Sequence, residues 1–369
     1  MNKKYKHIIK TKKMIRSFIK ISIVFACIFM FMSTNKSFAQ VISNNGAGIS
    51  ITNGTVVNTD SVRNTLGTIT NDGTFNLSGT YINADLTKGN GLFNIGGDWT
   101  NSNIFTPGTS TVRFNGNNFQ RITSTGGETF YNLVINNTGA NNAINRIRLL
   151  NNVNIFNTLT MDSGIIETGT DTLSLINPTS ASLIYNSTDS SRVIGKFERG
   201  IDAATNYLFP VGSDLYYNPL NLTPNVIPNA GSVLSEFIAN DPDTLGLWLP
   251  DAGYLNAADS VEIYDADSIG YWSLTAYNGF VSNDYNINLD GAGFKTPYQN
   301  ATRIIKRTGT PGDWTLDGVH SDGTGSIIFR DSLGGGIATG FGHHYGWGHI
   351  RPRIQIQPAD PAASHSLTE

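Results

Sequence analysis

Gly73-Thr-Phe-Asn-Leu-Ser-Gly-Thr-Tyr81 returns 18 residues later as Gly91-Leu-Phe-Asn-Ile-Gly-Gly-Asp-Trp99. Gly73 matches Gly91, Phe75 matches Phe93, Asn76 matches Asn94, Leu77 matches Ile95, Gly79 matches Gly97, Tyr81 matches Trp99 and, just beyond, Asn83 matches Asn101. Within each copy apolar and polar residues alternate over a few positions and are then cut off by Gly, Asn, Asp or Thr. That pattern marks a short strand closed by turns, not a helix. A unit this small cannot bury its own apolar face, so it must stack on its neighbours, as one rung of a parallel β-helix does. Weaker echoes at Val112 to Asn115, Leu133 to Asn136, Val153 to Leu159 and Thr172 to Leu175 extend the repeat at spacings near 18 to 21 residues.

The register makes definite demands. Phe75, Leu77, Phe93 and Ile95 point inward in two stacked rungs, like upon like. The Asn that follows an apolar residue (Asn76, Asn94, Asn115, Asn136, Asn154) either forms a ladder of stacked amides at a corner or simply tolerates left-handed turn geometry.

Near Ser190 the pattern changes. Strand candidates such as Val193 to Phe197, Val233 to Ile238, Val261 to Tyr264, Tyr271 to Ala276, Tyr285 to Leu289 and Ile327 to Phe329 are separated by turn clusters such as Asn240-Asp-Pro-Asp243 and Asp317-Gly318. Short strands at this spacing point to an antiparallel sandwich. The fold class read from the chain is therefore all-β, a short parallel β-helix over 40–190 followed by an antiparallel β-sandwich-like module over 191–350, with 351–369 a tail or linker.

Residues 1–39 have the three zones of a secretory leader. Lys3, Lys4, Lys6, Lys10, Lys12, Lys13, Arg16 and Lys20 form a basic zone, and Ile21 to Met32 an apolar run shorter than the roughly 20 residues that cross a bilayer. Small residues around Ser37 to Ala39 then predict cleavage after Ala39, the alternative being an uncleaved anchor. The one cysteine, Cys27, lies inside the apolar run. Past Ala39 the chain has 16 basic and 28 acidic residues, a net of −12, and no cysteine. That balance excludes nucleic acid as a partner, since phosphate neutralisation needs clustered Lys and Arg. Stability must come from burial and hydrogen bonding without disulfides.

Four strings then carry a family likeness: Thr109-Ser-Thr-Val-Arg-Phe-Asn-Gly116, Phe130-Tyr-Asn-Leu-Val-Ile-Asn-Asn137, Val193-Ile-Gly-Lys-Phe-Glu-Arg199 and Phe209-Pro-Val-Gly212. In kind and order they resemble the modular surface proteins exported by gliding bacteria through type IX secretion. The resemblance covers Gly91 to Gly212 and implies a β-helix fold and a cell-surface or extracellular address, without implying an activity. It also implies a sorting domain at the far end. This chain instead stops after Ile350-Arg-Pro-Arg-Ile-Gln-Ile-Gln-Pro358 and a polar tail, which leaves a longer natural chain, another route or residence in the periplasm open.

β-helix enzymes that cut acidic polysaccharides set carboxylates on neighbouring rungs of one face. Here the register stacks Asp72 on Asn90, Asp85 on Asn103, and Asp98 near Gly116, so no carboxylate ladder forms. No catalytic residue and no cofactor is assigned. Phe341-Gly-His-His-Tyr-Gly-Trp-Gly-His349 concentrates imidazoles, but on a strand His343 and His349 lie about 20 Å apart, beyond a shared metal. Asp265 with Asp267, and Asp317 with Asp322, are candidate Ca²⁺ ligands in Asp-rich turns, the competing reading being solvated turn aspartates.

Asp-Ser or Asp-Thr before an aliphatic residue recurs, placing candidate acceptors at Ser61, Thr172, Thr244, Ser260, Ser268 and Ser332. The triplet resembles the O-glycosylation acceptor of the bacteria that make the look-alike family; the plain alternative is that such pairs start turns. Two function classes follow. One is an exported structural or adhesive cell-surface protein without catalytic activity, whose partners are surface glycans or other surface proteins. The other is a carbohydrate-binding or carbohydrate-active β-helix protein, in which Trp99, Trp248, Trp272, Trp314 and Trp347 stack on sugar rings if they line one exposed groove.

Overall fold

The computed structural model describes residues 40–187, 191–247, 249–251, 261–294, 301–309, 312–334, 336–340 and 342–350. The expected leader, 1–39, and the expected tail, 351–369, lie outside the described residues. The described chain is almost wholly strand, a parallel β-solenoid of about eight turns that runs on into antiparallel sheets. Its helical structure is a single 3₁₀ turn, Ser180–Ser182.

Each solenoid turn has three faces. The first stacks Val56–Thr59, Thr74–Leu77, Leu92–Ile95 and Thr111–Phe114, then 132–135, 158–161 and Leu183–Tyr185, every pair parallel. The second runs from 41–44 through 61–64, Tyr81–Asn83, Trp99–Asn101, Gln120–Ser124, Arg146–Leu149 and 165–167 to 192–194. The third stacks 47–51, 67–71, Leu86–Lys88 and Ile104–Thr106. It resumes with 128–130, 153–155, 173–175 and 197–199, the two runs meeting where Phe105 packs on Phe130 at 6.0 Å between centroids.

Phe75 pairs with Phe93 and Leu77 with Ile95, all four buried, as the 18-residue register demands. Tyr81 lies flat on Trp99 at 4.7 Å, so the last aromatic of each quoted segment also stacks like on like. The matched glycines are a matter of clearance: a Cβ on Gly91 would collide with the carbonyl oxygen of Gly73 one rung below. Past Ile135 the period lengthens, because 137–145 are inserted at a corner, and Leu133 stacks on Leu159, 26 positions on. Of the echo Val153 to Leu159, Val153 to Ile155 therefore lies on the third face and only Leu159 continues the first, while Thr172 to Leu175 lies on the third.

The amide ladder needs a similar correction. Asn76 donates to Asn58 at 2.8 Å and Asn94 to Asn76 at 2.7 Å, but this ladder lies mid-strand on the outside of the first face and excludes Asn115, Asn136 and Asn154. Asn136 falls beside Ser163, Asn154 lies between Thr129 and Ser174, and Asn115 lies past the end of its paired strand. The corner ladder is a different set, Asn44, Asn64, Asn83 and Asn101. All four are buried, each donating to the next at 2.9, 2.8 and 2.9 Å. Asn64 and Asn83 also donate to the carbonyls of Leu86 and Ile104 on the rung ahead, so the buried corner backbone is satisfied where the chain leaves the ladder.

The expected division near 190 falls inside a shared sheet. Arg192–Ile201 pairs parallel with Ile165–Leu175 on one side and antiparallel with Gly231–Ile238 on the other. The sheet continues through Tyr271–Tyr277 and Gly342–Ile350 to Thr302–Thr308. A second antiparallel sheet, Tyr207–Phe209, Leu220–Val226, Asp284–Asp290, Ile327–Leu333 and Val319–Thr324, covers its inner face. Tyr285 and Tyr345 share a 2.6 Å hydrogen bond across this sandwich. One apolar cluster extends from Ile51 in the first rungs to Trp347, with a smaller one around Leu247, Ile263, Ile305 and Trp314.

Two predictions follow from the core. Phe93→Ala removes a ring held between Phe75, Trp99 and Phe105, and it should cost about 3 to 5 kcal/mol in chemical denaturation. A loss under about 1 kcal/mol would mean that the site collapses or is not core. Glu128, 3% exposed inside the solenoid, accepts the Trp99 indole N–H at 2.7 Å; burial pushes its carboxyl up to about 7, against the opposing pull of that bond and of the Thr129 amide. The folded protein thus keeps a proton that the unfolded chain has released, and stability should fall by about 3 kcal/mol as pH rises from about 4.5 to about 7. Glu128→Gln should remove that fall; an identical pH slope in the two proteins would refute the assignment.

Candidate functional site

The seam between parallel and antiparallel halves opens a groove on the outer side of the shared sheet. Alternation along Arg192–Ile201 turns Val193, Phe197 and Arg199 inward and leaves Lys196 and Glu198 facing out. Glu236 does the same on the adjacent strand, Gly231–Ile238, between inward Ser235 and Phe237. Glu198 pairs with Leu234, so Glu236 is its diagonal neighbour, about 7 to 8 Å away at Cα.

The groove has two adjoining parts. One, of about 540 Å³, is lined by Thr172, Lys196, Glu198, Glu236, Ser273 and Tyr277 among others. The other, of about 260 Å³, lies over Ile176, Gly200, Gly231 and Ser232, and the two share Glu198 and Asn278. The larger part falls within the size range of ligand sites.

Glu198 is held in place. Ser174 donates to Oε2 at 3.0 Å, while Ser232 and Asn278 donate to Oε1 at 2.5 and 3.2 Å. Asn278 reaches it from a turn in the left-handed region, φ 54°, and also donates to Ser232 at 2.7 Å. Burial pushes the Glu236 carboxyl above the usual carboxylate range, while the positive charge of Lys196 pulls it back. Lys196 itself donates to the Thr170 carbonyl at 3.2 Å from an exposed position.

Two of the four strings that carry the family likeness, Val193 to Arg199 and Phe209 to Gly212, build this seam. Arg199 turns inward and donates to the carbonyls of Leu208 and Ser180, lying over the Tyr207 ring at 5.3 Å. Arg192 donates to the Ser213 and Asp214 carbonyls, and Val211 bridges Val193 in parallel, so Phe209-Pro-Val-Gly212 lies against the last rung. Gly195, at φ +102°, passes Thr168 so closely that a Cβ would strike its hydroxyl.

The residues singled out from sequence are scattered. Trp99, Trp272, Trp314 and Trp347 are all fully buried and line no groove; Trp248 lies outside the described residues. Asp267, of the pair with Asp265, is buried and lies 3.4 Å from His349, and Asp317, of the pair with Asp322, is bound to Lys306 at 3.0 Å. The side chain of Asp322 is outside the described set. Among the described residues no three His, Cys, Asp or Glu converge in a way that could hold a metal ion.

His343 turns into the sandwich with Tyr345 and Trp347, where burial and then Lys306 pull its imidazole down to about 4. His344 faces the other way, against Tyr271 and Arg307. Of the acceptor candidates, Thr244, Ser268 and Ser332 are exposed. Ser61 is half-buried, hydrogen-bonded to Asp60 and Thr80, Thr172 is half-buried on the groove rim, and Ser260 lies outside the described residues.

Sequence reasoning passed over Glu198 and Glu236 because it sought carboxylates on solenoid rungs and in turns. The available signal was their outward phase within two alternating runs, Val193 to Phe197 with the residues after it and Val233 to Ile238. The missing fact was that these runs pair. No family model, curated protein or solved structure matches this chain, so the groove and its two carboxylates are characterised by their own geometry alone.

Proposed function

We propose that this protein is an exported structural or adhesive component of the cell surface and that it does no catalysis. The observation that supports this most is the sharing of one sheet by solenoid and sandwich through Arg192–Ile201. Such a joint makes the ladder hydrogen bonds of eight turns and those of the sandwich a single load path, which suits a projecting or attaching body. The same reading accounts for Glu198: a carboxylate already engaged by three donors serves as a fixed acceptor and not as a mobile base. The exposed acceptors Thr244, Ser268 and Ser332 would carry the bulky, solubilising glycans of such a surface. The leader and the family likeness supply the address.

The reading has a cellular and a chemical test. Protease added to intact cells should degrade the protein, and a deletion strain should lose attachment; protection from the protease would place the protein inside the envelope. Purified protein from Gln40 to Glu369 should release neither reducing ends nor unsaturated sugars from a broad glycan panel, with or without Ca²⁺. Release that disappears in Glu198→Gln or Glu236→Gln would make the protein an enzyme instead.

A further inference from the structure

We propose that the seam groove binds a neutral polysaccharide chain laid across the strands of the shared sheet. The inference rests on the adhesive reading in that it names the ligand such a surface would hold.

Phe156, Ile176, Gly200, Ser232 and Tyr277 stand side by side on the outer face of five neighbouring strands, with Gly200 and Ser232 buried in the middle. The register that sets this row pairs Ile155 with Leu175, Leu175 with Arg199, Gly200 with Ser232 and Ser232 with Tyr277. Four inter-strand steps make the row about 19 Å long, which suits an extended chain better than one small molecule. Its ends are apolar and open: Phe156, Ile176 and Tyr277 are 51%, 45% and 43% exposed. Between them Gly200 and Gly231 line the smaller part of the groove, and neither could carry a Cβ, which would meet the Ile176 carbonyl at 2.5 Å from Gly200 and the Phe280 amide nitrogen at 2.4 Å from Gly231.

The chemistry of the lining selects the ligand. A sugar ring offers an apolar C–H face to Tyr277 and Phe156 and hydroxyl donors to Glu198 and Glu236, which accept and do not donate while ionised. A polyanion meets both carboxylates and a mature chain of net charge −12. A polycation meets the Lys196 ammonium in the same groove. A peptide added as a strand needs an open sheet edge, whereas this groove lies on a sheet face with paired strands beneath it.

The test is affinity electrophoresis and calorimetry of the protein from Gln40 to Glu369. The probes are soluble β-1,3-glucan, β-1,4-mannan and arabinoxylan, with polygalacturonate and polylysine as charged counterparts. At least one neutral polymer should bind. Tyr277→Ala and Phe156→Ala should each weaken it roughly tenfold, as loss of an exposed stacking ring does, with the thermal midpoint unchanged. Glu198→Gln should weaken it as well, while Leu215→Ala, at an exposed position outside the groove lining, should not. Binding of no neutral polymer, equal binding by both aromatic variants and the parent, or preference for either charged polymer would overturn the inference. A deletion strain that loses attachment while the pure protein binds no glycan would leave the adhesive reading standing and remove the groove. Glycan binding without an attachment defect would do the reverse.

Discussion

Every turn of the solenoid depends on lateral burial of one rung by the next. A single turn has strands of three or four residues and cannot enclose anything. Stacked in register, Phe75 on Phe93 and Tyr81 on Trp99, the same residues form a continuous column from which water is excluded. Burial of the column creates a polar problem at each corner, where backbone groups leave the ladder inside an apolar core. Asn44, Asn64, Asn83 and Asn101 answer it, because an amide can donate to the next amide and to a corner carbonyl together. Replacing one of them with an apolar residue would leave its neighbours with unmet hydrogen bonds, which is costlier than losing the bond alone.

A stack of this kind needs an end. The last rung is closed by the strand Arg192–Ile201, which keeps parallel pairing with the solenoid and accepts an antiparallel partner on its free edge. That arrangement removes an open edge that would otherwise template further pairing. It also explains two buried arginines in one strand. Arg192 and Arg199 donate to the carbonyls of Ser213, Asp214 and Ser180 in connecting segments and of Leu208 in the strand Tyr207–Phe209, tying all four to the joint.

Legibility in the sequence tracked the range of the interaction. The inward set Phe75, Leu77, Phe93 and Ile95 was readable because the rung repeats itself at a fixed offset, and a repeat records its own neighbour. The buried amide column was half-visible, since Asn83 and Asn101 match in the repeat, but the more frequent Asn after the apolar residue drew attention to outward positions. The later rungs were misaligned once 137–145 broke the period. The four described tryptophans among the candidate sugar platforms, Trp99, Trp272, Trp314 and Trp347, proved to be core, in keeping with the usual fate of large aromatics. The groove was least legible, because Glu198 and Glu236 meet through the pairing of Arg192–Ile201 with Gly231–Ile238. Nothing local encodes that contact.

The place of the groove has a physical reason. In a parallel, in-register stack each outward residue sits on its counterpart, so a charged position tends to repeat against itself. The outer columns of the solenoid respond by being neutral, as in Asn58, Asn76 and Asn94, or by compensating. Arg121 and Arg148 are adjacent in register, yet both lie over the Phe119 ring, at 4.7 and 5.3 Å, and are flanked by Asp98 and Glu167. Such a surface can be ordered but not varied. The constraint lifts where a parallel neighbour gives way to an antiparallel one, since strands from unrelated parts of the chain then set unlike residues side by side. Arg192–Ile201 is that place, and there Lys196, Glu198, Glu236 and Tyr277 converge beside Gly200 and Gly231. The seam that ends the stack is thus also where this fold can assemble a mixed, recognising surface.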